Sequence, residues 1–451
     1  MFLVDQTGTS KYQIVPEFQA VILAGNKGHL YPLATEDNVP KALLPVANRP
    51  MISYTLQWLE QTGIQDVIVV VCPSSETQLT HYLRTVYEGT ANIDIVVMEE
   101  YYSTAEALRH ISSRIFRDFV VMTCDTVLLS SPQPFFDAHR SANPALSALF
   151  FHPTKSEGGG GSTKDSEWPL YVGLDPREHQ LLYLKQGERV KENLDIRTSL
   201  LENFQRFDLL TNLQDAHVYI FQRWVLDFIL VQKHLPSIQK DVLPLLVKCQ
   251  YRSALAEAEG LTEILKRAKA NTKHIASVSQ WTTKRSADPQ NPALRCNIYV
   301  EPKEFVGRAT SIPSYCDINK QISKMFTDQR THPTAEVHMR SQVGADSMVG
   351  NETKLDERCS VKRSVIGAHC TIGKNVKIVN SILMDYVTIE DGVKLDGCVL
   401  CNNVKIMTKA QLKDCEVGAG LVVDPNAQAK NERIVSSFVE GEEQDMQINF
   451  A

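Results

Sequence analysis

The chain has 451 residues, 43% of them apolar and 22% charged, with a formal net charge of −6. That length exceeds what one ordinary core organises and points to two or three domains. The acidic balance excludes a general nucleic-acid binder, which carries a basic face. Residues 1–16 read as an N-terminal extension; their opening, MFLVDQTGTSKYQ, lacks the basic start and apolar core of a secretory signal. No apolar run reaches the roughly 18–20 residues of a membrane span, so no membrane contact is expected. Ten cysteines without paired spacing read as free thiols of a reducing compartment, and a cytosolic location is expected. The one C-x-x-C pair, Cys398 and Cys401, lacks the two further ligands of a zinc site.

From residue 17 short apolar runs alternate with helical patterns. FQAVILAG (18–25) predicts a strand. PMISYTLQWLEQTG (50–63) places Ile52, Leu56 and Leu59 at helical spacing and closes on Gly63. DVIVVVC (66–72) is a continuous β-branched run, as a strand buried on both faces requires. SSETQLTHYLRTVYEG (74–89) predicts a helix, IDIVVME (93–99) a strand, STAEALRHISSRI (103–115) a helix and DFVVMTCD (118–125) a strand ending in a carboxylate. This alternation implies a doubly wound, Rossmann-like parallel sheet with right-handed crossovers. Ligands in such sheets sit beyond the carboxyl ends of the strands, where the loop after residue 24 and Asp125 both fall. KSEGGGGSTKD (155–165) reads as a flexible insertion, after which PLYVGLD, LLYLKQ and DAHVYIFQRWVLDFIL resume the sheet pattern, and SALAEAEGLTEILKRAKA (253–270) reads as helix. The domain is expected to span 17–290, with a connector over 291–330.

The second half carries a different rhythm. Steps of six, six and five residues from Val349 reach Leu355, Val361, Ile366, Ile372, Ile378, Leu383, Ile389, Leu395, Leu400, Ile406, Leu412, Val417 and Val423. Val343 and Val337 extend the series backward. An amphipathic helix cannot hold such a period in phase. Each coil is instead expected to form three short strands, with an aliphatic residue at each step pointing into a triangular core and Gly344, Gly350, Gly367 and Gly373 at the corners. Coils stack about 4.8 Å apart through parallel backbone hydrogen bonds. The coil domain is expected over 331–435, followed by an acidic tail, 436–451.

FQAVILAG, VPKALLPVANRPMISYTLQWLEQTGIQDVIVV, STAEALRHI, VVMTCD, DAHVYIFQRWVLDFI with the later DVLP, and the hexad region together resemble the sugar-nucleotide pyrophosphorylase family, in which a nucleotidyltransferase domain precedes a left-handed β-helix. Within that family the chain most resembles the gamma subunits of eukaryotic translation initiation factor 2B; the epsilon subunits add a long helical C-terminal domain after the hexads. Active members of the family use a Gly-Gly-x-Gly-Thr-Arg phosphate loop. Here Gly25-Asn26-Lys27-Gly28-His29-Leu30 stands in its place, one residue short and without the arginine. Such a loss lowers phosphoryl-transfer rates by about a thousandfold or more.

By the same resemblance, Lys41 matches a phosphate-contacting lysine and Asp125 a metal-holding aspartate. The bland readings stand beside these: a solvated lysine, and a capping or hydrogen-bonded aspartate. Cys124 replaces a glycine before that aspartate, and Asp215-Ala216-His217 replaces an Asn-Ala-Gly run, with His217 read as a packed histidine. No Glu-Lys-Pro sugar motif lies near LLYLKQ. Gly25, Lys27, Gly28, Lys41 and Asp125 are thus the remnants of a nucleotide pocket, with no catalytic residue, metal or cofactor expected. The resemblance implies a noncatalytic subunit of the guanine-nucleotide exchange complex. Its partners would be the epsilon subunit, the alpha, beta and delta subunits, and initiation factor 2. The rival readings are an active pyrophosphorylase using Mg2+ on Asp125, and a regulatory subunit of such an enzyme.

Overall fold

The computed structural model describes residues 17–25, 29–35, 38–98, 102–153, 169–187, 194, 196–204, 206–276, 294–302, 304–326 and 330–435. Lys27, Gly28, the glycine-rich insertion and the acidic tail lie outside the described residues.

Four strands form the expected parallel set. Phe18–Ala24, all seven residues buried, lies between Asp66–Val71 and Asp118–Thr123, and Asn92–Val97 pairs with the outer side of Asp66–Val71. Helices Met51–Glu60, Pro73–His81 and Thr104–His110 make the crossovers. Ile52, Leu56 and Leu59 are buried on the first of these, as their spacing predicts. Helical structure over 253–276 is interrupted at Gly260, whose φ of +67° suits glycine.

The sheet is larger than this parallel set and mixed in direction, with ten strands. Gln214–Phe221 runs antiparallel between Asp118–Thr123 and Leu146–Phe151. Cys296–Glu301 then pairs in parallel with Leu146–Phe151, and Gln180–Gln186, Leu170–Asp175 and Asp208–Leu210 complete the far edge. The stretch expected as a connector therefore supplies an interior strand. It also supplies Val306–Arg308, which pairs antiparallel with Thr126–Leu128, and the helix Ile312–Met325. Because Gln214–Phe221 is antiparallel, its first residues arrive at the edge where Asp125 leaves the sheet.

Residues 336–434 form a parallel β-helix of three six-stranded sheets. Pairing advances by 17 residues, as in Leu355 with Ile372 and Ile372 with Ile389, after a first step of 18 from Val337 to Leu355. Every hexad residue from Val349 to Val423 is buried. Val337 and Val343, in the first coil, are only partly covered. Gly350 and Gly367 serve a reason the sequence reading did not assign: a Cβ on Gly350 would lie 2.5 Å from the Gly367 carbonyl oxygen, and one on Gly367 would lie 2.6 Å from the Met384 carbonyl carbon. They permit close stacking of coils, while many left-handed corners are taken by residues such as Asn375, Asn403 and His369.

Corners also account for two of the cysteines, Cys398 and Cys415. All ten are free thiols. Ser347, Ser364, Ser381, Cys398 and Cys415 form one buried column at 17-residue spacing; Ser381 N donates to Ser364 Oγ at 3.1 Å and Cys398 N to Ser381 Oγ at 3.2 Å. Cys401 follows the next strand and faces the Pro32 carbonyl, so the C-x-x-C pair belongs to two different packing environments.

The β-helix is seated on the first domain. Met348, Val365, Ile382 and Val399, the outward residues of one of its faces, are buried. They share one apolar cluster with Leu30, Leu33, Leu44, Val46 and the helix residues Ile312, Tyr315, Ile318 and Ile322. Asn48 Nδ2 donates to the Ile366 carbonyl at 2.9 Å, and Asn402 N to Asn38 Oδ1 at 3.1 Å. Leu400 is fully buried inside the coils. Leu400→Ala is expected to cost about 2–5 kcal/mol, whereas Thr371→Ala, on an exposed position, should change stability by less than about 0.5 kcal/mol. Urea denaturation of the full chain checks both.

Candidate functional site

The carboxyl edge of the sheet gathers a buried polar cluster. Asp125, 3% exposed, follows the Asp118–Thr123 strand. Lys41 comes from a short helical turn after Pro40 and places Nζ 2.8 Å from Asp125 Oδ2; its side chain too is almost wholly covered. Arg308 stands opposite Thr126 in the Val306–Arg308 pairing, which brings its guanidinium 3.3 Å from the same oxygen. Burial would push the Asp125 carboxyl up, but Lys41 and then Arg308 override it and hold it well below the usual carboxylate range. Two cations thus share one carboxylate oxygen. Asp125 Oδ1 is buried without a hydrogen-bond partner among the described residues.

Next to it lie Asp215 and His217. The pairing of Gln214–Phe221 with Leu146–Phe151 shifts register between Asp215 and Tyr219, and His217 sits in that irregularity at φ 55°. A left-handed histidine is strained by about 1–2 kcal/mol relative to glycine. Asp215 Oδ1 accepts from His217 N at 2.8 Å and Oδ2 from the Tyr219 hydroxyl at 2.6 Å. Burial lifts the Asp215 carboxyl to about 6 in spite of these bonds. Burial, followed by the charge of Arg308, holds His217 neutral, well below the usual histidine range. Its Nε2 also lacks a partner among the described residues. The structure supports the reading of a packed histidine.

Beyond Asp215 opens a cavity of about 260 Å³ whose lining includes Lys185, Arg197, Lys240, Lys248 and Arg252. Five cations against one carboxylate suit an anionic occupant.

The sequence-predicted pocket residues are thus partly brought together. Lys41 and Asp125 meet directly. Gly25 is exposed, and a Cβ there would meet nothing within 4 Å. Cys124 is buried in the sheet core, with burial pushing its thiol up to about 12. Arg308 and the cavity cations were missed: strand pairing brings Arg308 to the site, while Lys240 and Lys248 come from the helical segments Ile238–Val242 and Leu243–Cys249, so no shared local pattern marks them. One oxygen of the candidate carboxylate, Asp125 Oδ2, is taken by two cations, and among the described residues no group of three His, Cys, Asp or Glu side chains surrounds it.

A nucleotidyl transferase family model matches residues 19–160, and a model described as the EIF2B subunit epsilon LbH domain matches residues 329–429. Translation initiation factor eIF2B subunit gamma of Schizosaccharomyces pombe is 34% identical over 358 residues, covering 78% of this chain and 76% of that protein. The chain belongs to the eIF2B gamma-subunit family. The Dictyostelium discoideum eIF2B subunit gamma is 32% identical over 79% of this chain and 88% of that protein. The likeness extends outside the family, to a mannose-1-phosphate guanyltransferase of Gibberella zeae at 24% identity over 64% of this chain and 73% of that protein. The coil stack of this eIF2B gamma relative is a left-handed β-helix, as its family model describes. No helix among the described residues is long and apolar enough to cross a membrane.

Two outcomes follow from the cluster. Asp125→Asn removes the anion that Lys41 and Arg308 both face and is expected to cost about 3 kcal/mol, read as a lower urea midpoint; a metal-ligand aspartate would instead leave the metal-free protein unchanged or stabilised. Asp215 has a folded-state pKa of about 6, above the unfolded value near 3.8, so its ionisation costs stability as pH rises between them. Asp215→Asn should therefore gain on the parent chain from about pH 4 to about pH 6, by up to about 3 kcal/mol, and the gain should then level off. Denaturation midpoints of both proteins across that range check it.

Proposed function

We propose that this chain is a noncatalytic subunit of the eIF2B guanine-nucleotide exchange complex. In this reading it pairs with the epsilon subunit through both its nucleotidyltransferase-like domain and its β-helix, and joins the alpha, beta and delta subunits. It supports GDP/GTP exchange on initiation factor 2 and the response to phosphorylation of that factor's alpha subunit. The exchange chemistry belongs to epsilon, and the site is the cytosol. One observation carries the noncatalytic reading: the carboxylate that would hold a metal is already neutralised by Lys41 and Arg308. The missing loop arginine agrees with it.

The cavity beyond Asp215 favours a second reading, in which the domain holds a nucleotide sugar without turning it over. Purified chain is expected to release no pyrophosphate from any nucleoside triphosphate with mannose or glucose 1-phosphate. Tagged chain is expected to recover the epsilon subunit and initiation factor 2 from cells. Sustained turnover by the purified chain overturns the noncatalytic reading. A rise in melting temperature with GDP-mannose, without turnover, supports the second reading.

A further inference from the structure

The three faces of the β-helix are not equivalent. One is covered by the first domain. A second carries cations that are already paired, with Lys354 Nζ 3.1 Å from Glu336 Oε2 and Lys405 Nζ 3.4 Å from Glu390 Oε1. The third is built from Gln342–Val343, Ser360–Lys362, Lys377–Val379, Lys394–Asp396, Gln411–Lys413 and Gln428–Lys430. Its middle residues point inward, and its outward positions carry five lysines, Lys362, Lys377, Lys394, Lys413 and Lys430, against the single carboxylate of Asp396. All five lysines are exposed, and none makes an ion pair with the described residues.

Their register is costly. Lys377 pairs directly with Lys394, and Lys413 with Lys430, Asp396 standing opposite Lys413 on its other side. Neighbouring strands stand about 4.8 Å apart, and like charges so opposed destabilise a sheet. In the ladder Lys377 lies between Ser360 and Lys394, and Lys394 between Lys377 and Gln411, so no carboxylate stands directly opposite either lysine, and the corner carboxylate Glu390 is paired with Lys405. Nothing in the folding of the coil requires lysine at outward positions, where Thr371 and Thr388 serve on the adjacent face.

We infer that this lysine face is a docking surface for a carboxylate-rich segment of a partner protein. Charge complementarity selects the sign, and the interleaved amides and hydroxyl of Gln342, Gln411, Gln428 and Ser360 supply neutral hydrogen bonding between the lysines. The same outward positions hold no aromatic side chain and no arginine, the groups on which single-stranded nucleic acid stacks, and this favours an acidic protein over RNA.

The test uses the full chain and a fluorescein-labelled poly-glutamate peptide of about 20 residues, with a poly-uridine strand of similar length as the rival, both read by anisotropy at low and moderate salt. The combined substitution Lys377→Gln, Lys394→Gln and Lys413→Gln is expected to weaken peptide binding about tenfold, while Lys354→Gln with Lys405→Gln changes it less than about twofold. Because the substitutions relieve repulsion, the triple variant should melt at the same temperature as the parent or higher. The inference is overturned by no peptide binding at low salt, by equal losses in the two variants, by tighter binding of poly-uridine than of peptide, or by a triple variant that melts lower with unchanged peptide affinity.

Discussion

One buried carboxylate organises the centre of this molecule. Asp125 is bonded to Lys41, 84 residues earlier, and to Arg308, 183 residues later, with almost no access to water. Removing either kind of partner from such an arrangement leaves a charge in a low-dielectric interior, at a cost of about 3–5 kcal/mol. The group therefore fixes three distant segments at once: the turn after Pro40, the end of the Asp118–Thr123 strand, and the Val306–Arg308 strand. The segment around Lys41 lies in turn against the β-helix, so the pocket and the coil are held by the same stretch of chain.

This arrangement reassigns the chemistry of the edge. A strand end carrying an aspartate beside a loop is where α/β sheets place ligands. Here the anion and its counter-ions are supplied internally, and the glycine position of the family's Asn-Ala-Gly run is filled by a left-handed histidine that burial keeps neutral. Lys41 and Arg308 offset the charge of Asp125, while Asp125 Oδ1 and His217 Nε2 stay without a hydrogen-bond partner among the described residues. The cavity beyond Asp215 is lined by five cationic side chains and one carboxylate.

The sequence was most legible where a local period coincided with burial. The hexad residues Leu355 through Leu412 could be read because each inward position recurs at a fixed interval and no other secondary structure keeps that interval. The parallel set was legible from β-branched runs such as that of Asp66–Val71. The direction of Gln214–Phe221 and the interior place of Cys296–Glu301 were not, because strand pairing across long separations leaves no local trace. Arg308 was invisible for the same reason: its meaning depends on Thr126 lying opposite it. Gly350 and Gly367 were recognised as corner residues, but the close carbonyls that require them belong to other coils. Lys41 and Asp125 could be named from the resemblance; that they bond to each other could not.

The seat between the β-helix and the first domain has a mechanical consequence. Six coils are five steps of about 4.8 Å, a straightedge roughly 24 Å long. Its near side is welded by aliphatic packing to the helix Ile312–Met325 and to the chain that follows Leu30. A straightedge fixed in this way cannot pivot without tearing that packing apart. Proteins gripping different coils would be kept at constant separations from one another, as if on the teeth of a rack.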